Sequence, residues 1–311
     1  MVDFRQQHST DWIRHFARRG HGGARFLAAG VEGAVYRLED GLVAKVWSGR
    51  PPGELDVMRQ VYADIARHRL SFATPEILEA EEQAGVIITY ERELRGRPLG
   101  PDSGVKPPTR AVPSGQAAAL LTVLRELATV PGTEAMRRLT IQGDDRPLWQ
   151  GHSRFPDALA ALVVRATRRH GGLLAAHVPG LVGVIEGVIA RLRALPDVPA
   201  TAIHGDLVPP NIHVDDDGRP VAVLDFGFFT TAGDPAFEAA VTAAVWDMYG
   251  PYAEEHTATL THRFAAELDH APETLAVYQA AYALTTYDLF ASDGSDGHFR
   301  WCAALLNRGA T

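Results

Sequence analysis

A short strand-rich island between residues 200 and 226 constrains the fold of this 311-residue chain more than any other feature. Its two segments, AIHGDLVPPNIHV and VAVLDFGFF, carry β-branched and apolar runs broken by glycine, proline and acidic residues, a pattern typical of short strands joined by tight turns. Helical periodicity surrounds the island on both sides. The chain must therefore hold a small β element inside a mainly helical region. The helices predicted for that region cover residues 115–129, 156–170, 181–195, 235–249, 253–269, 272–291 and 297–307.

The first 91 residues predict a different, smaller lobe. Three strand-like runs, ARFLAAG, GAVYRLE and LVAKVW, follow a short helix at residues 9–19 and are separated by glycine and acidic turns. A helix at residues 54–69 and two more strands, near 76–79 and 86–90, complete a five-stranded antiparallel sheet with one main helix. The segment 94–114 is dense in glycine and proline, which predicts a connector and a surface loop. We therefore expect two domains, 1–91 and 92–311, in an α+β architecture.

The island places three polar side chains at turns, where they can act together on a phosphoryl group. Asp206 can accept a hydroxyl proton, and Asn211, five residues later, offers an amide oxygen to a metal. Asp225 ends an apolar strand nineteen residues after Asp206, where its carboxylate can bind Mg²⁺. In the alternative interpretation, His204, Asp206 and Asn211 only close a hairpin through side-chain to backbone hydrogen bonds.

Lysine is rare in this chain, since twenty-eight of its thirty basic residues are arginine and only Lys45 and Lys106 are lysine. Lys45 lies inside the apolar run LVAKVW, whereas Lys106 lies in the proline-rich loop. A lysine retained inside a strand indicates a need for a compact ammonium group rather than a planar guanidinium.

The fragment HGDLVPPN has the form HxDxxxxN, and together with LDFG and GDPAFE it resembles the aminoglycoside phosphotransferase and choline kinase-like families. The resemblance implies a two-lobed, protein-kinase-like fold and dependence on ATP and Mg²⁺. In this family the base would be Asp206 and the metal ligands Asn211 and Asp225, while His204 would be structural. Asp234 in GDPAFE would brace the loop and cap the next helix.

The resemblance also assigns nucleotide contacts to the smaller lobe. Gly30 and Gly33 would allow a strand-turn-strand loop to approach the phosphates, although GxxG is also an ordinary hairpin turn. Lys45 would hold the α- and β-phosphates, and its expected partner is Glu54, chosen over Asp56 and Asp64. As an alternative, Glu54 is only a carboxylate favoured at a helix N-terminus. Backbone groups from Glu91 to Glu93 would hydrogen-bond adenine.

Two features in which this sequence differs from related kinases affect which substrate we expect. Val208 and Pro210 stand where relatives commonly have histidine and glycine, which implies a stiffer loop and a less polar wall on the acceptor side. Only FFTTA separates Gly227 from Gly233, too little for a protein kinase activation segment. A protein substrate is therefore disfavoured.

The net charge of -8 argues against nonspecific nucleic-acid binding. From residue 228 onward, eleven acidic residues face three arginines, so the excess of negative charge lies there. Such a region would attract a cationic ligand if its carboxylates share a cleft, or would simply keep the surface solvated. Candidate groups for an ammonium site are Asp234, Asp247, Asp288, Asp293, Asp296, Trp246, Tyr249 and Tyr287.

The chain has one cysteine, Cys302, and neither a signal-peptide pattern nor a long apolar run, so we expect a cytoplasmic protein with no membrane association, as a monomer or homodimer. The leading hypothesis is an ATP-dependent phosphotransferase acting on a hydroxyl of a small cationic molecule such as an aminoglycoside or related antibiotic. A metabolic kinase for an amino alcohol, sugar or nucleoside is the alternative within the same enzyme class. A nucleotide-binding module without catalysis is disfavoured, because Lys45, Asp206, Asn211 and Asp225 are all present.

Overall fold

The computed structural model describes residues 9–30, 33–48, 52–83, 85–100, 109–291 and 293–308. The chain divides into two compact units. The smaller comprises Met1–Arg67 with Ala73–Arg95, and the larger comprises His68–Phe72 with Gly96–Thr311. The predicted boundary between residues 91 and 92 stays a prediction, and Lys106 with the middle of the predicted connector lies outside the described residues.

The smaller unit is built on a five-stranded antiparallel sheet in the order β1-β2-β3-β5-β4, which confirms the predicted lobe. Strand β4 is longer than the sequence predicts, because its polar second half, EAEEQ, hides the alternation that marks a strand. The elements of this unit are α1 (Ser9–Arg18), β1 (Arg25–Gly30), β2 (Gly33–Arg37), β3 (Leu42–Trp47), α2 (Pro52–Ala66), β4 (Ile77–Gln83) and β5 (Val86–Arg92).

The two faces of this sheet carry different helices. Tyr36, Val46 and Tyr90 point to one face and form an apolar cluster with Phe16 of α1. Residues on the other face alternate with them, and there Trp47 packs with Leu55 of α2 and with Ile87. The sheet is thus covered on both sides, and α2 lies on the face to which the odd-numbered residues of β3 point.

The larger unit is mainly helical, as predicted. Its elements are β6 (Arg97–Pro98), α3 (Ser114–Leu127), α4 (Glu134–Arg138), α5 (Phe155–Ala175), α6 (Leu181–Ala194), β7 (Thr201–Ile203), β8 (Ile212–Val214), β9 (Pro220–Val223), β10 (Thr231–Gly233), α7 (Pro235–Val245), α8 (Ala253–Leu268), α9 (Pro272–Thr286) and α10 (Gly297–Arg308). Helix α5 continues past its predicted end at residue 170, because Gly171 and Gly172 stay helical there. The short α4 escapes prediction, since one helical turn shows no periodicity.

The strand-rich island folds as two small β elements. Strands β8 and β9 form a hairpin that pairs with β6, and β7 pairs with β10. Helix α7 then begins at Pro235 and is buried along its whole length. Over the described residues, no helix combines the length and apolar character needed to cross a membrane.

Candidate active site

Asp206 and Asn211 lie together in the loop between β7 and β8. The Asn211 side chain donates from Nδ2 to the Asp206 backbone oxygen at 2.9 Å and to the Asp206 carboxylate Oδ2 at 3.3 Å. A one-turn 3-10 helix, Pro209–Asn211, sets this approach, with the Asn211 N–H donating to the Val208 oxygen at 2.9 Å. Because the Nδ2 end faces Asp206, the amide oxygen is the end of Asn211 that can ligate a cation.

His204 is hydrogen-bonded to the backbone of this loop. It is fully buried, its Nδ1 lies 3.2 Å from the Asp206 N–H and its Nε2 lies 2.7 Å from the Leu224 carbonyl oxygen. A backbone N–H must donate and a carbonyl must accept, so His204 is the neutral tautomer protonated at Nε2. The ring also packs on Phe226, with centroids 4.3 Å apart. His204 therefore joins the Asp206 loop through Nδ1 to Leu224, the residue before Asp225, through Nε2, which is the structural role expected of it.

Asp225 lies two residues after the end of β9, in a backbone conformation that is uncommon for residues other than glycine. It is exposed and has φ of 62°, in the left-handed region that costs energy for residues other than glycine. The Leu224 N–H donates to the Asn211 oxygen at 2.8 Å, which links β9 to the end of the Asp206 loop. Asp225 is thus presented at the end of β9, next to the loop that holds Asp206 and Asn211.

Gly205 lets the loop pass close to the segment after Asp225. It has φ of 74°, and a Cβ at this position would lie 2.5 Å from the Phe229 Cβ and 2.7 Å from the Phe229 oxygen. Thr230 reinforces the contact by accepting the Gly227 N–H at 2.7 Å and donating to the His204 oxygen at 3.2 Å. No other residue type can replace this glycine without moving the backbone beside Asp206.

Glu238 is the residue of this site that the sequence analysis missed. It lies on α7, is 2% exposed, and accepts the backbone N–H groups of His204 and Gly205, the latter at 3.1 Å. Burial raises the pKa of Glu238 to about 8, against the lowering effect of these two donors. One carboxylate in the otherwise apolar helix PAFEAAVTAAV is a signal that could have identified it, because a buried acid needs specific partners.

Asp234 caps α7, as predicted, by accepting the Ala236 N–H at 2.8 Å. The Tyr278 hydroxyl donates to the other Asp234 oxygen at 2.7 Å. Asp234 is buried, so its role here is to fix the start of α7 rather than to meet a ligand. Through Glu238 on the same helix, this cap also fixes the Asp206 loop.

Lys45 lies on β3 opposite Val35 and Thr89, with its ammonium nitrogen 4.0 Å from the centroid of the Trp47 ring. It is 9% exposed. The Trp47 Nε1 donates to the Thr89 hydroxyl at 2.9 Å, and Thr89 donates to Glu91 Oε1 at 2.6 Å. These contacts place Lys45, Trp47, Thr89 and Glu91 on one face of the sheet, the face that also carries α2.

Three acids of α2 compete as partners for Lys45. Glu54 is half-buried in the first turn, beside Leu55, which packs on Trp47. Asp56 is exposed, and Asp64 accepts from Gln60 of the same helix at 2.8 Å and from Arg67, just past its end, at 2.7 Å. The packing of Leu55 therefore favours Glu54, although its pairing with Lys45 stays a prediction.

The two glycines of the β1–β2 turn have different roles. Gly30 and Gly33 are paired across the turn, and the two residues between them lie outside the described residues. Gly33 has φ of 144°, and a Cβ there would lie 1.9 Å from the Val46 oxygen. At Gly30 a Cβ would meet no atom of the described residues within 4 Å. Gly33 is thus required by the fold, whereas no described neighbour requires a glycine at position 30.

The adenine contacts predicted near Glu91 and Glu93 fall at the end of β5. The Glu93 N–H donates to the Gly41 oxygen at 2.8 Å, and the Glu93 carboxylate pairs with Arg37. Glu91 is buried, and its carboxylate accepts from Thr89. Since the Glu93 donor already serves the fold, an adenine in this segment would rely on neighbouring backbone groups, and the assignment stays a prediction.

The donor set near Asp206 suits Mg²⁺. Among the described residues no group of three His, Cys, Asp or Glu side chains is placed to hold a metal ion. Mg²⁺ commonly takes one or two carboxylates and completes its octahedron with phosphates and water. The Asp225 carboxylate and the Asn211 amide oxygen fit that requirement better than they fit a metal held by protein ligands alone.

The family model described as "Phosphotransferase enzyme family" (APH) matches residues 23–288. No curated protein matches the chain significantly.

Solved structures of similar fold include macrolide 2'-phosphotransferase MphH from Brachybacterium faecium, at 22% identity and TM-score 0.59, covering 96% of this chain and 98% of that one. The GDP complex of aminoglycoside 2'-phosphotransferase-IIIa shares 16% identity at TM-score 0.63, covering 97% of this chain and 98% of that one. Aminoglycoside phosphotransferase APH(3'')-Id from Streptomyces rimosus, with ADP and streptomycin, shares 19% identity at TM-score 0.55, covering 92% and 99%. At these identities the likeness concerns the fold.

Proposed function

Because the chain belongs to the phosphotransferase enzyme family, we propose that it transfers the γ-phosphate of ATP to a hydroxyl of a small cationic molecule, an aminoglycoside or related antibiotic. Membership confirms the predicted phosphotransferase activity on a hydroxyl acceptor and the protein-kinase-like α+β fold. The predicted use of ATP and Mg²⁺ is confirmed at the level of the family. The acceptor and the roles of individual residues are proposals.

The observation that carries the proposal is the loop holding Asp206 and Asn211 next to the end of β9. Asp206 would accept the proton of the acceptor hydroxyl as that oxygen attacks the γ-phosphate, with the Asn211 amide steadying its carboxylate at 3.3 Å. Asn211 and Asp225 would hold Mg²⁺, which would neutralise phosphate charge. Lys45 would add a cation to the phosphates, and His204 and Glu238 would keep the loop in place.

The choice of a cationic acceptor rests on charge. Eleven acidic residues against three arginines follow residue 228. Several of them are committed to the fold, such as Asp234, whereas Asp247 is partly exposed beside His256 at 2.7 Å and Asp293 is exposed. A negative surface on the unit that holds Asp206 would raise the local concentration of a cationic acceptor.

The test is ADP release with ATP and Mg²⁺ over a panel of aminoglycosides, macrolides, peptide antibiotics, nucleosides and choline-like alcohols. We expect turnover with a cationic antibiotic, and mass spectrometry of the product should show one added phosphoryl group. The Asp206→Asn variant serves as the inactive control. Turnover only with a nucleoside, sugar or simple amino alcohol would instead indicate a metabolic kinase.

A further inference from the structure

A cluster of rings stands at the start of α10 in the same unit as Asp206. We call Tyr249, Phe290, His298 and Trp301 the aromatic wall. Phe290 and His298 meet edge to face with centroids 5.0 Å apart, and His298 and Trp301 lie 5.4 Å apart. Tyr249 is 63% exposed and Phe290 is 39% exposed, while His298 and Trp301 are buried. The wall thus shows two exposed rings on a rigid base.

Hydrogen bonds hold the exposed Tyr249 ring in position. The Thr286 hydroxyl donates to the Tyr282 oxygen at 2.9 Å, so its oxygen accepts from His298 Nε2 at 3.1 Å. His298 Nδ1 is then unprotonated and accepts from the Tyr249 hydroxyl at 3.3 Å. Burial lowers the pKa of His298 to about 4, so this arrangement persists at neutral pH. The ring is presented in one orientation.

Carboxylates give this surface a negative field. Asp296 accepts the Phe299 N–H through Oδ1 at 2.8 Å, while its buried Oδ2 has no hydrogen-bond partner among the described residues. Packing connects the wall to the Asp206 loop. Trp301 packs against Tyr282 with ring centroids 6.3 Å apart, Tyr282 packs against Phe229 at 5.7 Å, and Phe229 meets Gly205, which precedes Asp206.

We propose that the aromatic wall binds an N-alkylated ammonium group of the acceptor, with Tyr249 as the specificity-determining residue; this inference rests on the proposed function. A cation gains from the exposed rings of Tyr249 and Phe290 and from the charge of Asp296. A primary ammonium would also need several hydrogen-bond acceptors. Here His298 Nδ1 already accepts from Tyr249, Asp296 Oδ1 already accepts from the backbone, and Asp296 Oδ2 is buried out of reach of a ligand. The wall therefore suits a methylated amine better than a primary one.

Two matched pairs of acceptors test the inference. One is a macrolide carrying a dimethylamino sugar and its N,N-didesmethyl analogue, and the other is choline and ethanolamine. We expect kcat/KM to favour the methylated member of at least one pair about tenfold, within the range of cation–π energies. Tyr249→Ala should raise KM for that compound about tenfold with little change in kcat and should remove the preference, whereas Tyr249→Phe keeps the ring and should stay within about threefold.

Val182→Ala is the control, since Val182 is 69% exposed on α6, a helix that carries none of the wall residues. It should match the wild type with both pairs, and the melting temperature and nucleotide affinity of Tyr249→Ala should show that the variant folds. A wild type that prefers the primary amine or shows no preference, or a Tyr249→Ala variant with unchanged KM, would overturn the inference.

Calorimetry of the same compounds, with nucleotide present, separates this inference from the proposed function. The wall is supported if the methylated amine binds more tightly than the primary amine and if Tyr249→Ala weakens that binding about tenfold. This result does not depend on whether phosphate is transferred. Such binding without ADP release from any acceptor would reject the proposed function alone. The inference about the wall alone would be rejected if the enzyme phosphorylates hydroxyls of compounds that carry primary amines and Tyr249→Ala does not change kcat or KM for any acceptor.

Discussion

At the residue scale, the arrangement around Asp206 predicts a loss of chemistry without a loss of fold. Asp206→Asn keeps the size of the side chain but cannot take a proton, so kcat should fall by a factor of about 10² to 10⁴. Steady-state kinetics with the acceptor found in the panel would measure this. Asp217→Asn is the matched control, because Asp217 lies exposed in the β8–β9 turn, where its carboxylate accepts from Arg219 at 2.7 Å. Equal activity of Asp206→Asn and Asp217→Asn would contradict the assignment of the base.

Glu238 predicts a specific dependence of stability on pH. Its pKa is about 8 in the folded protein against 4.5 for the ordinary carboxyl, so between these values the unfolded chain binds fewer protons than the folded one. The free energy of unfolding should therefore fall as pH rises through this window, by an amount on the order of 5 kcal/mol. Chemical denaturation of the wild type and of Glu238→Gln at pH 5 and pH 8 would measure the difference, because glutamine mimics the neutral acid and should flatten the slope.

Glu238→Ala serves as the comparison variant, because it removes the carboxyl group altogether. It leaves the His204 and Gly205 N–H groups without their acceptor, which should cost about 2–4 kcal/mol near pH 5. The cost should shrink as pH rises, because only the wild type loses stability through the titration of Glu238. If Glu238→Gln is as unstable as Glu238→Ala and keeps the slope of the wild type, the carboxyl is ionised in the folded protein and the expectation is wrong.

At the element scale, α1 is predicted to stabilise the smaller unit from the face opposite Lys45. Phe16 is fully buried and packs against Tyr36 and Tyr90, with centroids 5.2 Å and 6.3 Å away. Phe16→Ala should therefore lower the free energy of unfolding by about 3–5 kcal/mol. Val182→Ala, at an exposed position, should change it by less than about 0.5 kcal/mol. A cost below about 1 kcal/mol for Phe16→Ala would mean that α1 is not held to the sheet in solution.

The elements also show what sequence reasoning can and cannot find. Strand-like apolar runs bounded by turns predicted β3 and β5, and four-residue spacing predicted α2, which has one buried and one exposed face. The same reasoning failed for the second half of β4, where exposed acids replace the apolar positions, and it could not reveal the bond from Glu238 to Gly205, thirty-three residues away. The motif spacing predicted that Asp206 and Asn211 lie together, because local hydrogen bonds determine how close they come. The Tyr249–His298 contact joins residues forty-nine positions apart and depends on tertiary packing, so the sequence could not predict it.

At the scale of the whole molecule, nucleotide binding should stabilise the folded protein, because a ligand that binds only the folded state raises the free energy of unfolding. Substitution of the proposed site residues should change this stabilisation in different ways. A ligand at a hundred times its Kd adds about 2.7 kcal/mol to the free energy of unfolding. We therefore expect ATP with Mg²⁺ to raise the melting temperature by several degrees. Asp206→Asn should keep this shift, because the base does not hold the nucleotide. Lys45→Ala should reduce the shift both with and without Mg²⁺, because it removes a cation from the phosphates.

Asp225→Asn should behave differently from Lys45→Ala, because it weakens only the metal. Differential scanning fluorimetry would measure the melting temperature with ATP alone and with ATP plus Mg²⁺. In Asp225→Asn, ATP alone should still raise the melting temperature, but the further rise on adding Mg²⁺ should be lost. Asp217→Asn, again the matched control, should retain both. Asp225 sits at φ of 62°, where asparagine is also tolerated, so the substitution should not unfold the strand end. A full Mg²⁺ increment in Asp225→Asn would remove Asp225 from the metal site and leave the assignment of Lys45 intact.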